Sequence, residues 1–483
     1  MTMLKAPICV RWGFRRKPGR KPLPRRAVAP FAGLAAAVLA AGLAAGFPAG
    51  MSPAQAAEAS RPEPAVLPDE GATFSDYARY AVTHNAGLKA AFNDWKATRE
   101  KIPQAHSWPD PRFTYTDYIR PVETRVGPQE RSFSLVQTVP WPGKLLARGR
   151  VASREAESAY QRYEAARLAL VYRLAKAYCE YYYLSRAISI TENDVALVSD
   201  LEDVARTRYK VGAVPYAALI KAQVEIARLE DDLQDLREMR RPAAAALNEI
   251  MGRPRDAYVP WPEGVSFGSV EFGDSSTYRE LGRNNPELLA LRLSTSKEEA
   301  ALGLARQQYF PDLILGATVI QTGPSSNPGL RDSGKDPVMA SVSVGLPVWI
   351  GKYRAAEREA RARRKAAADR RADRENQLAA DLEAALFNLR SAERRIDLYG
   401  GELIPKAEQA LAASRRAFSA DQADFFDLIE AQRTLLEFRL VHERALSDRA
   451  QRIAEIDMLL GRDIRPESAG ALDKTGPDSG PER

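Results

Sequence analysis

A chain that carries its own plan twice must fold as two related units, and this one repeats over most of its length. Asn85, Leu88 and Pro111 return as Asn285, Leu288 and Pro311 at an offset of 200. Further on the offset grows. Trp141-Pro142-Gly143-Lys144 matches Trp349-Ile350-Gly351-Lys352 at 208, and Leu219-Ile220-Lys221-Ala222-Gln223 matches Leu428-Ile429-Glu430-Ala431-Gln432 at 209. Gly252-Arg253 and Gly461-Arg462 close the two copies at 209 again. Nearly all the extra length therefore lies between Pro311 and Trp349, where a loop is expected to absorb it. The expected units are residues 57–271 and 272–465.

The variable stretch of each copy predicts a β-hairpin. Val338, Ala340, Val342, Val344 and Leu346 fall on one face of an extended segment, and Met339, Ser341, Ser343 and Gly345 on the other. Arg112 to Ile119, Arg131 to Val139 and Leu313 to Ile320 supply three more strands, rich in aromatic or β-branched residues. Turn-forming residues fill the stretch between the last two strands.

Long helices follow each hairpin. No Gly or Pro occurs from Arg150 to Val211, and Ala152, Ala156, Ala159, Tyr163, Ala166, Leu170, Leu174, Ala177, Tyr181 and Leu184 step by threes and fours. At 1.5 Å per residue such a helix reaches roughly 90 to 100 Å, more than a globular core covers. The segment around Gly212 reverses the chain. A second helix returns with Leu219, Ala222, Ile226, Leu229, Leu233 and Leu236 as its seam, matched by Leu428, Ala431, Leu435, Phe438, His442 and Ala445. Gly400, Gly401 and Pro405 predict a bend in the long helix of the second copy.

Residues 1–56 hold nine Lys or Arg and no acid, so the formal charge of +7 becomes −2 without them. Basic residues, an apolar stretch from Ala32 to Phe47 and Ala54-Gln55-Ala56 read as a secretory signal peptide. The alternative, an uncleaved anchor, needs about 20 apolar residues, which the stretch lacks. Removing this segment also removes the excess basicity that would suggest a nucleic-acid partner. Cys9 precedes the apolar stretch, so no lipid anchor is expected, and Cys179 reads as a packed small hydrophobe. The tail 466–483 reads as disordered.

The sequence holds no glycine-rich phosphate loop, nucleophile elbow or clustered His/Cys set, so neither an enzyme nor a cofactor is expected. His84, His106 and His442 are scattered, and His442 lies in a packing seam. Gly143 and Gly351 are read as strand-to-helix turns, with Lys144 and Lys352 solvated; the alternative has the lysines anchoring near lipid headgroups beside Trp141 and Trp349. Four strands cannot close a barrel, and an open edge is not viable in lipid, so several exported chains must combine.

The signal segment, the duplicated plan and the two strand exits resemble the TolC-like outer membrane efflux proteins from about Thr73 to Arg465. The resemblance rests on Asn85, on Asn285-Pro286-Glu287-Leu288, on Phe310-Pro311, on Leu346-Pro347 with Gly351-Lys352, on the turn from Arg208 to Gly212, and on Leu459-Leu460-Gly461. The form Pro140-Trp141-Pro142-Gly143-Lys144 looks most like the heavy-metal and cation efflux branch. One departure is that Ser419-Ala420-Asp421-Gln422 stands where copy one has Lys210-Val211-Gly212-Ala213, so the second tip lacks its glycine.

The resemblance implies a mostly α fold with a small β part. Three chains would build a 12-stranded outer-membrane barrel on a periplasmic helical barrel, a passive conduit for metal cations or small toxic compounds, with a periplasmic adaptor and an inner-membrane pump as partners. It assigns adaptor contact to Tyr209, Val211, Gly212, Ala213, Phe418, Asp421 and Gln422, and a periplasmic entrance to Asp427 and Glu430, whose alternative reading is an ordinary solvated helix face. The alternatives are the exit duct of a protein-secretion system, or a periplasmic adaptor.

Overall fold

The computed structural model describes residues 71–265, 267–268, 274–327, 329–420 and 422–464. The leader 1–56, Asp421 and the tail 466–483 lie outside the described residues. Copy one runs through short helices α1 (Phe74–His84), α2 (Ala86–Arg99) and α3 (Lys101–His106), strands β1 (Arg112–Thr124) and β2 (Gly127–Val139), and long helices α4 (Pro142–Lys210) and α5 (Tyr216–Met251). Copy two repeats this as α6 (Asp274–Asn284), α7 (Pro286–Gln307), β3 (Leu313–Thr322), β4 (Val338–Val344), α8 (Ile350–Leu398), a π turn (Tyr399–Leu403), α9 (Ile404–Ser419) and α10 (Phe425–Leu460). At 69 residues, α4 extends about 100 Å.

The repeated residues hold equivalent places. Asn85 and Asn285 each cap a helix, accepting from Leu88 N and Leu288 N at 2.9 and 3.0 Å. Their amides donate to the carbonyls of Ile250 and Leu459, at the end of the same copy. Gly252 and Gly461 end α5 and α10 at φ 73° and 75°, which favours glycine. A Cβ on Gly461 would stand 2.4 Å from Asn284 O, so the helix end and the copy's first cap can meet only at a bare backbone.

The long helices of the two copies share cores. Tyr77 of α1, Leu174 and Tyr181 of α4, Met251 of α5, Leu382 of α8 and Ile456 of α10 belong to one buried cluster. A second cluster near the helical tips joins Ala205 of α4, Ala222 of α5, Phe418 of α9 and Leu428 of α10. Truncating any of the large aliphatic members to Ala would cost about 2–5 kcal/mol. The seam expected for α4 is too narrow: Ala166 is exposed, while Leu168, Val171, Tyr178 and Cys179 are buried. The cause is that α4 is packed by α1, α5, α7 and α10 on several sides rather than by one partner helix.

The bend expected in copy two is a π turn at Tyr399–Leu403. His442 packs against it, and a Cβ on Gly400 would lie 2.7 Å from His442 Nε2. The histidine thus fits the seam because the opposing residue has no side chain.

The four strands form one antiparallel sheet in the order β1-β2-β3-β4. β1 runs past its expected end at Ile119 and through Pro121, with its register broken between Asp117 and Val122. An edge strand tolerates a residue with no N–H to donate. The β1–β2 connection is a tight turn, whereas β3 and β4 are joined through residues 323–337, so the extra length of copy two does fall in a loop. That loop folds back on the tight turn, with Gly334 N donating to Val126 O and Gly323 N to Pro128 O.

Candidate functional site

The pairing register gives the sheet two unlike faces. Phe113, Leu135, Ala317 and Ala340 stand in one row across the strands, and Tyr115, Phe133, Val319 and Val338 in the next row on the same face. Toward the helices that face continues with Gln137, Leu315 and Val342 in one row and Val139, Leu313 and Val344 in the next, Gln137 being its one polar member in these rows. The other face carries Thr114, Ser134, Thr318 and Met339 in one row and Thr138, Ile314 and Ser343 in another. From Val139 to Phe133 the apolar face spans about 20 Å along the strand at ~3.4 Å per residue. Its next row is the ion pair of Asp117 with Arg131, 3.4 Å apart.

β1 and β4 each pair on one side only, and both carry exposed apolar side chains, among them Phe113, Ile119, Val338 and Val342. Aromatic residues mark both ends of the apolar face. Tyr115 and Phe133 pack at 5.4 Å at the far end, and Trp141 stacks on Phe310 at 5.1 Å beside the helices.

The junction of sheet and helices corrects the expectation for Lys144. Instead of being solvated or reaching for headgroups, it is 4% exposed and its Nζ lies 2.8 Å from Asp312 Oδ1. The same oxygen accepts from Trp141 N at 2.9 Å. A buried ammonium needs a paired carboxylate, and breaking such a pair typically costs about 3–5 kcal/mol. Asp312 escaped the sequence reading because it belongs to the other copy. Beside it, the Gln307 side chain lies over Gly143: a Cβ there would stand 2.2 Å from Gln307 Oε1, which would have to swing aside. In the second copy, Lys352 is exposed and nothing lies within 4 Å of a Cβ on Gly351.

At the opposite end of the long helices, α4 stops in a glycine cap. Gly212 has φ 75°, Gly212 N donates to Tyr209 O, and Ala213 N donates to Arg208 O at 2.9 Å. Gln422 N donates to Ala417 O at 2.8 Å, the same reach 209 residues later, so the second tip stands in the expected register. Tyr209, Val211 and Ala213 are exposed, as is Gln422. Phe418 is not: at 4% exposed it packs edge-on against Phe425, which removes it from the set of residues expected to meet a partner. It serves the tip from inside. Arg208 lies over its ring and donates to the carbonyl oxygens of Phe418 and Ser419.

Asp427 and Glu430 lie on the first turns of α10, three residues apart, and both are exposed. Carboxylates near a helix N-terminus are favoured by the helix dipole. Behind them, Glu225 of α5 is buried against Arg433, and this hydrogen bond lowers its carboxyl below the usual range. Asp194 of α4 is buried beside Gln432, which donates to it, and desolvation pushes its carboxyl up to about 7. Neither buried acid was expected from the sequence. Among the described residues no helix is long and apolar enough to cross a membrane, and no cluster of metal-ligating side chains occurs.

The sequence matches the family described as outer membrane efflux protein over residues 79–253 and 277–462, and the chain belongs to that family. It is similar to the cobalt-zinc-cadmium resistance protein CzcC of Cupriavidus metallidurans, with 24% identity over 408 residues that cover 82% of this chain and 92% of the relative. The fold is similar to that of the outer membrane protein VceC from Vibrio cholerae, with TM-score 0.68 at 19% identity, covering 80% of this chain and 96% of that one. CusC gives TM-score 0.67 at 15% identity, covering 81% of this chain and 92% of its own.

Proposed function

We propose that three copies of this chain form the outer-membrane channel of a tripartite efflux system, closing a 12-stranded barrel above a tunnel of periplasmic helices. The observation that carries this reading is a sheet with one mostly apolar face, one mixed face rich in Ser and Thr, and an unpaired strand at each edge. In lipid the edges must be paired, and a barrel pairs them with the apolar face outward. The aromatic residues at both ends of that face suit the two membrane boundaries. Export by the leader, without a lipid anchor, brings the chain to this site. The exposed tips around Gly212 and Gln422 meet a periplasmic adaptor, and an inner-membrane pump supplies the driving force. No nucleic acid is involved, and the chain conducts without catalysis or cofactor.

The cargo in this reading is a divalent metal cation, supported by the similarity to CzcC, whose name describes resistance to cobalt, zinc and cadmium. Asp427 and Glu430 repeated in three chains would ring the periplasmic entrance with six carboxylates. Like charge in a constriction favours cations and repels anions. The variant Asp427→Asn with Glu430→Gln is expected to lose cation selectivity and block by trivalent ions in bilayer recordings, with assembly intact. Wild-type selectivity and block in that variant would refute the entrance assignment.

A further inference from the structure

The repeats meet at the junction of sheet and helices in only one of the two ways their symmetry allows. Within the chain, the exit of β2 lies against the start of β3. Trp141 stacks on Phe310 with the rings 9° from parallel, while Trp141 N and Lys144 Nζ both donate to Asp312 Oδ1. The register explains the meeting, because Val139 at the end of β2 pairs with Leu313 at the beginning of β3.

The reciprocal set is present and, among the described residues, has no partner within the chain. After β4 come Trp349, 79% exposed, and Lys352, also exposed. Before β1 come Trp108, 45% exposed, and Asp110, also exposed. Trp108-Pro109-Asp110 has the order aromatic, proline, aspartate of Phe310-Pro311-Asp312, at an offset of 202, two residues out of the register that pairs Pro111 with Pro311. Among the described residues neither Lys352 nor Asp110 has an ion-pair partner, and Lys352 Nζ lies 5.9 Å from the ring centroid of its neighbour Tyr353. These two half-sites stand apart in one chain because β4 and β1 are opposite edges of the sheet.

We propose that Trp349 and Lys352 of one copy dock on Trp108 and Asp110 of the next copy around the ring. Lys352 pairs with the Asp110 carboxylate, and Trp349 packs on Trp108. This rests on the ring of chains proposed above, in which β4 of one copy pairs with β1 of the next. Antiparallel pairing there sets an exit beside a start, as β2 and β3 do inside the chain. The charges are complementary, and the open space over Gly351 corresponds to the space that Gln307 fills over Gly143. A junction within each chain and one between chains then alternate around the barrel, so the contact fixes register between copies as well as joining them.

The test uses the full-length protein in outer membranes. In the double variant Asp110→Cys with Lys352→Cys, a short bifunctional maleimide is expected to yield covalent two-chain and three-chain species, which neither single variant yields; Cys179 is buried and stays silent. Independently, Lys352→Asp is expected to speed heat-induced dissociation of the trimer in detergent about tenfold, by placing like charges together, and Lys352→Asp with Asp110→Lys to restore it. A native trimer that gives no cross-linked species, and whose dissociation neither reversal alters, overturns this contact and leaves the ring standing. A wild-type protein that is not a trimer overturns both.

Discussion

Arg208, near the end of α4, holds the end of α9 through Phe418: its guanidinium lies 4.6 Å over the Phe418 ring and its Nη1 lies 2.6 Å from that residue's carbonyl oxygen. A second bond, to Ser419 O at 2.7 Å, engages another carbonyl left unsatisfied where α9 stops. A cation at a helix C-terminus is favoured by the dipole as well as by the hydrogen bonds.

Arg208→Ala is therefore expected to loosen the second tip without unfolding the chain. Charge-assisted hydrogen bonds are worth about 1.5–3 kcal/mol, so hydrogen exchange in residues 413–424 should accelerate roughly tenfold to a hundredfold. Arg208→Lys, which keeps the charge but loses the fork, should fall between. Unchanged exchange in the Ala variant would show that the apolar packing of Phe418 on Phe425 suffices by itself.

Two glycines with nearly the same backbone angle should respond oppositely to a side chain. At Gly212 an added Cβ meets nothing within 4 Å, so Gly212→Val is expected to cost about 1–2 kcal/mol of backbone strain, leave trimer assembly intact and impair efflux through the tip. At Gly461 the Cβ would collide with Asn284 O, and Gly461→Ala should prevent accumulation of folded protein. Equal yields of folded protein for both variants, or normal efflux together with normal adaptor cross-linking for Gly212→Val, would count against the assignment.

How far the sequence reached follows the range of each interaction. Strand alternation and helix periodicity are local signals, and the four strands, the long helices and the break at Gly400 were legible. The repeat carried further, since an offset of 209 correctly paired the tips. It could not tell that Lys144 is buried, because burial depends on Asp312, 168 residues away in the other copy. Phe418 misled for a similar reason. Its position at a tip suggested exposure, but Arg208 and Phe425 enclose it. The seam drawn on α4 is buried at Ala156, Leu170, Leu174, Tyr181 and Leu184 but incomplete, because periodicity describes one packed face, whereas this helix is packed on several.

Asp194 gives the tip half of the molecule a pH dependence of definite sign. Burial raises its carboxyl from an ordinary 3.8 to about 7 in the folded chain. The groups that face it are Gln432, Glu225 and Arg439, and the burial outweighs the pull of Arg439. A raised carboxyl stabilises the fold fully below about 4, and that contribution is lost as pH rises to about 7 and stays lost above it. Asp194→Asn, which keeps an acceptor for Gln432 but cannot ionise, should thus gain Tm over wild type from pH 5 to pH 8. Parallel Tm curves over that range would contradict the assignment.

The central claim is that the unpaired edges β1 and β4 meet across copies, and the mass of the detergent-extracted protein tests it most directly. Light scattering on protein solubilised from outer membranes, corrected for bound detergent, should give three chains per particle, with strand content unchanged from the four strands of each chain. A protein recovered from the soluble periplasmic fraction with the mass of a single chain would contradict the account.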